Sequence, residues 1–395
     1  MCDSAAVYTD ADRQQLDRAL ALAAQAIGLS DPNPRVGCIL HSADGQLAGQ
    51  GHTQEVGGPH AEVMALRDAR ERGMALSGGT AWVSLEPCGH QGRTPPCCDA
   101  LIAAGLKRVV VALIDPFPQV AGQGIAKLRA AGIEVVVAPP DGQAARAAQA
   151  LNIGFLSRIR RGLPWVRMKV AASLDGRTAL ADGQSQWITG PMARTDGHAW
   201  RRRAGAILTG IGTVRQDDPR LDVRLVPSAK QPMRVLVDSQ LQVSAQARML
   251  QPPGRVMVVG AQASAAAMAA VRASGAELLM LPSSHGRVQL TALLQALAAD
   301  GVNELHVEAG AGLNGALLQA DLVDELLLYL APCLIGPGRS MADLAPLGQL
   351  TEARRLRIIE SRMLGDDLML RAAVSGRADF LDGLPQGSAA RKFEP

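Results

Sequence analysis

Aromatic side chains are scarce: 4 Trp, 2 Tyr and 4 Phe in 395 residues, or 3%. Few rings exclude a surface of stacking platforms for unpaired bases, and they leave the cores to Ala, Val, Leu and Ile. A dominant charge is also missing. Lys and Arg number 40 against 37 Asp and Glu, a net +3, too little for a surface that coats nucleic acid. No stretch approaches the ~18 uninterrupted apolar residues of a membrane span. The opening MCDSAAVYTDADRQQ has no basic segment followed by an apolar one, so it does not read as a secretory signal. The expectation is a cytoplasmic protein that meets small molecules, with neither nucleic acid nor membrane as partner. Six cysteines stand at Cys2, Cys38, Cys88, Cys97, Cys98 and Cys333. A chain this long and apolar needs no disulfide staples, and in a reducing compartment closely spaced cysteines indicate metal or catalysis.

Periodicity divides the chain into alternating helices and strands. Leu16, Ala19, Leu20, Ala23, Ala24 and Ile27 fall on one helical face over 12–28, and Asp31–Pro34 (DPNP) ends that helix. Strands are expected at 36–40, 81–85, 108–114 and 134–138, with helices from His60, over 97–104 and over 124–131. This pattern predicts an α/β layered unit with a largely parallel sheet. An Ala-rich helix runs to about Ser157. A second α/β unit starts at Trp165, with strands at 165–173, 206–209, 234–237, 256–259, 277–281, 304–307 and 325–330. Arginines cluster at 158–161 (RIRR, with Arg158, Arg160 and Arg161) and at Arg201–Arg203, as solvated helix faces or phosphate contacts.

The chemistry concentrates in His60-Ala61-Glu62 and in Pro87-Cys88 with Cys97 or Cys98. Zinc favours imidazole and thiolate, and a catalytic site keeps three such ligands and an open fourth position. A carboxylate two residues after the histidine, at a helix start, can serve as general acid and base without ligating. His-x-Glu followed by Pro-Cys is the pattern of the zinc nucleobase deaminases. One zinc per chain is expected, with Glu62 as the catalytic group. The second half of that pattern is usually Cys-x-x-Cys, but position 91 is Gln and the next cysteines are nine and ten residues on. His90 offers a fourth ligand for a purely structural zinc. In the second unit, residues 307–312 (VEAGAG) form a strand entering a Gly-rich turn, and Ile211-Gly212-Thr213 forms another. Such turns aim backbone N–H groups at an anion and suit a dinucleotide. The spacing G-x-G-x-x-G is absent.

The long gap after Cys88 has a counterpart. Residues 86–98 (EPCGHQGRTPPCC) resemble the EPCxHxGRTPPC motif of the bifunctional riboflavin-biosynthesis deaminase–reductase family. So do HAEV at 60–63, PNPRVGC at 32–38 and DPFPQVAGQGI at 115–125. In the second half the matching stretches are MKVAASLDGRTAL at 168–180, SQWITG at 185–190, DDPRL at 217–221 and VEAGAGLNGALL at 307–318. The resemblance covers about 1–373.

The resemblance implies a cytidine-deaminase-like domain over 1–145, a linker helix over 146–164 and a dihydrofolate-reductase-like domain over 165–375; the aperiodic tail 376–395 is expected to be disordered. It implies deamination of 2,5-diamino-6-(5-phosphoribosylamino)pyrimidin-4-one and then NADPH-dependent reduction of 5-amino-6-(5-phosphoribosylamino)uracil, in a homo-oligomer. It selects His60, Cys88 and Cys97 as zinc ligands. It places Ala171, Trp187, Thr213, Asp217, Ser239, Gly310, Ala311, Gly312, Leu313, Asn314, Gly315 and Ala316 at NADPH. Asn33 would read the base, and Ser185, Arg201, Leu221, Arg224 and Glu308 would meet the reductase substrate, the two arginines at its 5-phosphate. Lys169 and Asp217 are the groups suited to protonating or polarising the opened ribose. The chain departs from the family at Phe117, where Asn is usual, and at His52-Thr53, where an aromatic-His pair is usual.

Overall fold

The computed structural model describes residues 7–89, 96–117, 121–251, 253–283 and 285–385. Two compact units emerge, one running to Arg161 and including the segment from Phe380, the other spanning Gly162–Asp379.

The first unit comprises α1 (Asp10–Ala23), β1 (Gly37–His41), β2 (Leu47–His52), α2 (Ala61–Glu71), β3 (Thr80–Val83) and α3 (Cys97–Ala103), followed by β4 (Arg108–Val111), α4 (Gln123–Ala130), β5 (Glu134–Val137), α5 (Gln143–Leu151) and α6 (Ile153–Arg161). Its sheet has the order β2-β1-β3-β4-β5, with β3, β4 and β5 parallel and β1 antiparallel to both neighbours. Leu16, Ala19, Leu20 and Ala23 bury one face of α1, the spacing of an amphipathic helix. Strand β2 was not anticipated, because LAGQGH has little strand propensity. Its glycines have a packing reason. A Cβ on Gly49 would lie 2.2 Å from the Ala65 carbonyl oxygen, and one on Gly51 2.5 Å from Met64 Cβ. Only glycine lets α2, which starts just after His60, lie this close to the sheet.

Residues 146–164, expected as a linker, form most of α5 and all of α6, and Ala148, Phe155 and Leu156 are buried in the first core. Of the expected tail, Phe380 and Leu381 pack on that core and Leu384 is buried in it, so three apolar side chains anchor the segment despite its lack of periodicity. Residues 386–395 lie outside the described residues. The arginine runs are internal ties. Arg158 bonds the Pro32 carbonyl, Arg160 the Gly383 carbonyl, and Arg161 stacks 4.8 Å from the Phe380 ring centroid.

The second unit contains β6 (Trp165–Ser173), β7 (Arg177–Leu180), α7 (Pro191–Arg203), β8 (Ala206–Gly210), α8 (Ile211–Asp217), β9 (Met233–Val237) and β10 (Val256–Gly260). After these come α9 (Ala265–Ala273), β11 (Glu277–Met280), α10 (Leu290–Ala299), β12 (Glu304–Val307), α11 (Ala311–Gln319), β13 (Glu325–Ala331), β14 (Gly338–Ser340), β15 (Leu356–Leu364) and β16 (Asp367–Val374). The large sheet runs β11-β10-β9-β8-β12-β6-β13-β16-β15. It is parallel from β11 to β13, and the hairpin β15–β16 closes one edge antiparallel. All the expected strands of this unit are present. The β15–β16 hairpin was missed, although Leu364-Gly365-Asp366-Asp367 is a turn signal.

Inside the sheet the Arg167 guanidinium, 1% exposed, reaches Glu304 at 2.8 Å and Glu325 at 2.9 Å, and Arg371 approaches Glu325 from β16 at 2.8 Å. Burial pushes the Glu325 carboxyl up, but Arg167 and Arg371 outweigh it and hold it at about 2.

Candidate active sites

His60 ends an extended segment at the N-cap of α2, which puts Glu62 in the first turn. Cys88 follows β3, and Cys97 opens α3 and donates its backbone N–H to Cys88 Sγ at 3.2 Å. His60 Nδ1 lies 3.8 Å from Cys88 Sγ and 3.3 Å from Cys97 Sγ, and the three ligand atoms fall within 4.8 Å of one another. One imidazole nitrogen and two thiol sulfurs suit zinc, with a fourth position left for water; His60 and Cys97 stand at helix starts and Cys88 in the loop after β3. Cys98 does not join them. Its thiol points to the carbonyls of Pro87 and Gly124, 3.3 and 3.5 Å away. His90 lies outside the described residues.

Glu62 is 4% exposed beside this cluster. Burial and the neighbouring Cys88 thiolate push its carboxyl up to about 7. A second carboxylate, Glu86, shapes the site without entering the cluster. It accepts backbone N–H groups of Asp115, Gly122 and Ile125 at 3.2, 2.9 and 3.1 Å, pinning both ends of the 115–125 loop. Gly124 completes the fit, since a Cβ there would stand 1.9 Å from the Pro87 carbonyl oxygen. The departures from the motif are structural in character. Thr53 is buried and its hydroxyl meets the Val36 backbone, while Phe117 donates its N–H to Asp115. Asn33 sits half-buried in the turn after Ser30.

The second site lies at the C-terminal ends of β8, β9 and β12. The chain steps from β8 outward to β9, while β12 inserts on the other side of β8, so the crevice opens where strand order reverses. A cavity of about 740 Å³ occupies it, within the usual range for a cofactor site. Thr213, Asp217, Ser239, Gly310, Ala311, Gly312, Leu313 and Ala316 line it, and so does Ser185. A Cβ on Gly212 would meet no protein atom within 4 Å. Any side chain there would stand in the cavity, where the backbone now approaches directly. Ser185 donates its hydroxyl to Asp217 at 3.1 Å. Other expected cofactor residues act behind this surface. Asn314 ties α11 to the Ala309 and Met341 carbonyls, and Gly315 admits the Asp343 backbone. Ala171, on β6, packs against the cluster that holds Leu327 and Tyr329, and Trp187 stands exposed with Arg194 over its ring at 4.7 Å. Leu221 is buried at φ 52.

A charged cluster sits where β12 ends beside the middle of β6. Arg201 forks onto Glu308 at 2.5 and 2.9 Å and also donates to the Asp222 carbonyl. Lys169 Nζ is 4.0 Å from Glu308, and His306 Nε2 is 3.3 Å from it. Burial pushes Glu308 up, but Arg201 and then Lys169 hold its carboxyl far below the usual range. Arg224 pairs with Asp222 at 2.6 Å and remains half-exposed. Sequence reasoning missed His198, His306 and Asp222, which carry no motif spacing and become neighbours only through folding. Burial, Arg201 and Arg224 hold His198 down to about 4.

The match to known proteins follows the same division. Residues 9–113 match the cytidine and deoxycytidylate deaminase zinc-binding region, and residues 164–370 match the RibD C-terminal domain. The riboflavin biosynthesis protein RibD of Escherichia coli is 44% identical over 372 residues, covering 91% of this chain and 98% of that one. The chain belongs to the RibD family.

Solved RibD structures agree in fold. That of Acinetobacter baumannii RibD superposes with a TM-score of 0.81 at 40% identity, over 92% of this chain and 99% of that one. A Thermotoga maritima deaminase/reductase gives 0.81 at 29% identity, over 92% and 98%. The RibD fold class expected from sequence, a cytidine-deaminase-like unit followed by a dihydrofolate-reductase-like unit, is the one present. Its cofactors are zinc at the His60, Cys88 and Cys97 cluster and NADPH in the second unit. Among the described residues no helix is long and apolar enough to cross a membrane.

Proposed function

We propose that this RibD chain deaminates 2,5-diamino-6-(5-phosphoribosylamino)pyrimidin-4-one and then reduces the ribosyl group of 5-amino-6-(5-phosphoribosylamino)uracil with NADPH, two steps of riboflavin biosynthesis. The observation that carries it is one chain holding a three-ligand His/Cys/Cys cluster with Glu62 against it and a cofactor-sized cavity beside Glu308.

In the deaminase unit His60, Cys88 and Cys97 hold zinc, which when bound is a Lewis acid that makes water nucleophilic at neutral pH. Glu62 takes the proton of the attacking water at its carboxylate. It passes that proton to the ring nitrogen as the C–O bond forms, then carries the remaining hydroxyl proton to the amino group as the C–N bond breaks, so water is consumed, a carbonyl is left and ammonia is released. Glu86 holds the backbone at Asp115, Gly122 and Ile125 beside this site, and Asn33 reads the amide edge of the base.

In the reductase unit NADPH, when bound, would be the hydride source for C1 of the opened ribose. The cofactor is held by Thr213, Ser239 and residues 310–313 at the cavity, with Ala316 and Asp217 on its wall and Ala171 and Trp187 at its margin. Glu308, kept anionic, accepts hydrogen bonds from ribose hydroxyls. Arg201, expected at the 5-phosphate, has its fork on Glu308 and acts by positioning that carboxylate. Arg224 is the arginine that receives the phosphate, with Ser185 and Leu221 completing the substrate wall. Lys169 and Asp217 both remain candidates for delivering the proton. The exposed Ile358 and Met363 of edge strand β15 support assembly as a homo-oligomer, and a cytoplasmic location fits both reactions.

The test is a paired assay on the purified chain. Ammonia release and NADPH oxidation should both proceed, and absence of either from zinc-loaded protein rejects the corresponding half of the proposal.

A further inference from the structure

The cofactor cavity is not uniform along its length. Its phosphate-binding middle lies at Gly210–Thr213 and Gly310–Gly312, between β8 and β12. The Lys169–Glu308–Arg201 cluster stands on the β6 and β12 side. A dinucleotide whose reactive ring faces that cluster must carry its adenosine half toward β9, β10 and β11. That far wall is made by Asp238, Ser239, Gln240 and Gln242 after β9, and by His285 to Val288 after β11.

In doubly wound sheets an acidic side chain at the end of the second strand bonds the adenosine ribose diol and selects NAD, whereas an arginine accommodates the 2′-phosphate of NADP. Asp238 occupies the acidic position but is withdrawn from it. It is 1% exposed, and its carboxylate accepts the Val243 N–H at 2.8 Å and further loop amides of Gln240 and Gln242. With these bonds made, its carboxylate is committed to the loop and is not presented to a ribose hydroxyl. The arginine that lines this wall is Arg287, exposed and with no ion pair among the described residues; Arg215 reaches the wall only through Gln242, to which it donates at 2.5 Å, and is not among the lining residues. Its neighbour Val288 donates its N–H to Ser239 Oγ at 3.3 Å, which fixes the Arg287 backbone beside the end of β9.

We propose that Arg287 binds the 2′-phosphate of NADPH, with Ser239 beside it, and so sets the preference of this enzyme for NADPH over NADH. The proposal rests on the assignment of this cavity to the dinucleotide. Arg339 is the rival cation, but it lies on β14 against Gly183 and Gln216, at the opposite wall.

The deciding experiment is equilibrium binding to the full chain, followed by cofactor fluorescence for NADPH and NADH and by calorimetry for 2′,5′-ADP and 5′-ADP. A charge-assisted contact to phosphate corresponds to roughly 10- to 50-fold in affinity. Arg287→Ala should weaken NADPH and 2′,5′-ADP by that factor and leave NADH and 5′-ADP within about twofold, with Arg287→Lys intermediate. Arg339→Ala should weaken the 2′-phosphorylated and plain ligands alike or neither. Equal weakening of all four by Arg287→Ala, or no weakening of any, overturns the assignment to Arg287. Failure of the unaltered protein to bind NADPH at all would instead reject the cavity assignment.

Discussion

Glu62 and Glu308 are both nearly buried carboxylates, and they stand in opposite protonation regimes. Burial raises both. At Glu62 desolvation and repulsion by the Cys88 thiolate add and outweigh the opposing His60, and the carboxyl reaches about 7. At Glu308 the Arg201 fork and Lys169 oppose desolvation and overwhelm it. The lesson is that depth alone does not assign a carboxylate its role. The sign of its neighbours does. In the proposed function this separates a carboxyl that carries a proton from one that stays an anion and accepts hydrogen bonds from hydroxyls.

That contrast can be broken in stages, beginning with the largest effect. Cys97→Ser should remove zinc and abolish ammonia release while NADPH oxidation with the uracil substrate continues, checked by metal analysis and the paired assay. Glu62→Gln should keep zinc and lower the deaminase rate by about 10²- to 10⁴-fold, again sparing the reductase; full turnover would refute the proton-carrier role.

Glu325 extends the comparison to a carboxylate without catalytic duty. Its folded value of about 2 lies below the 4.5 of a free glutamate. Its contribution is therefore complete above 4.5 and is lost as pH falls toward 2, amounting to ~3 kcal/mol. His198, held at about 4 against 6.5, acts in the same direction at higher pH, because the unfolded chain takes up the proton first. Denaturant melts at pH 7, 5 and 3 should fall steadily, and a flat profile would refute the account.

Arg201→Ala leaves Glu308 without its fork. The reductase should slow by about 100-fold through misplacement of the carboxylate, and the acid limb of its pH profile should move up as the Glu308 carboxyl rises. An unshifted limb would mean Arg201 serves only the substrate. Smallest is Cys98→Ser, which should retain zinc and both activities and cost about 1 kcal/mol of stability in a thermal melt.

Legibility in the sequence followed the distance between cooperating residues. The deaminase ligands could be read because two short segments supply His60, Glu62, Cys88 and Cys97. Spacing left Cys97 and Cys98 as rivals. The direction of the Cys98 thiol, toward two carbonyls, separates them only in the folded chain. Likewise the Gly-rich turns at Gly212 and Gly310 were visible as strand-to-helix signals. Their convergence on one cavity follows from the strand order.

The sequence by itself determined the α/β alternation, the parallel strands and the zinc ligand types, because periodicity and helix-start chemistry act over a few residues. Tertiary structure alone decided that β2 exists, since its glycines matter only against α2. It alone drew the segment around Phe380 and Leu384 onto the first core. It also placed the Arg201 guanidinium on Glu308, across 107 residues of chain. Charge neighbours and close backbone approaches are properties of space, which a linear pattern does not encode.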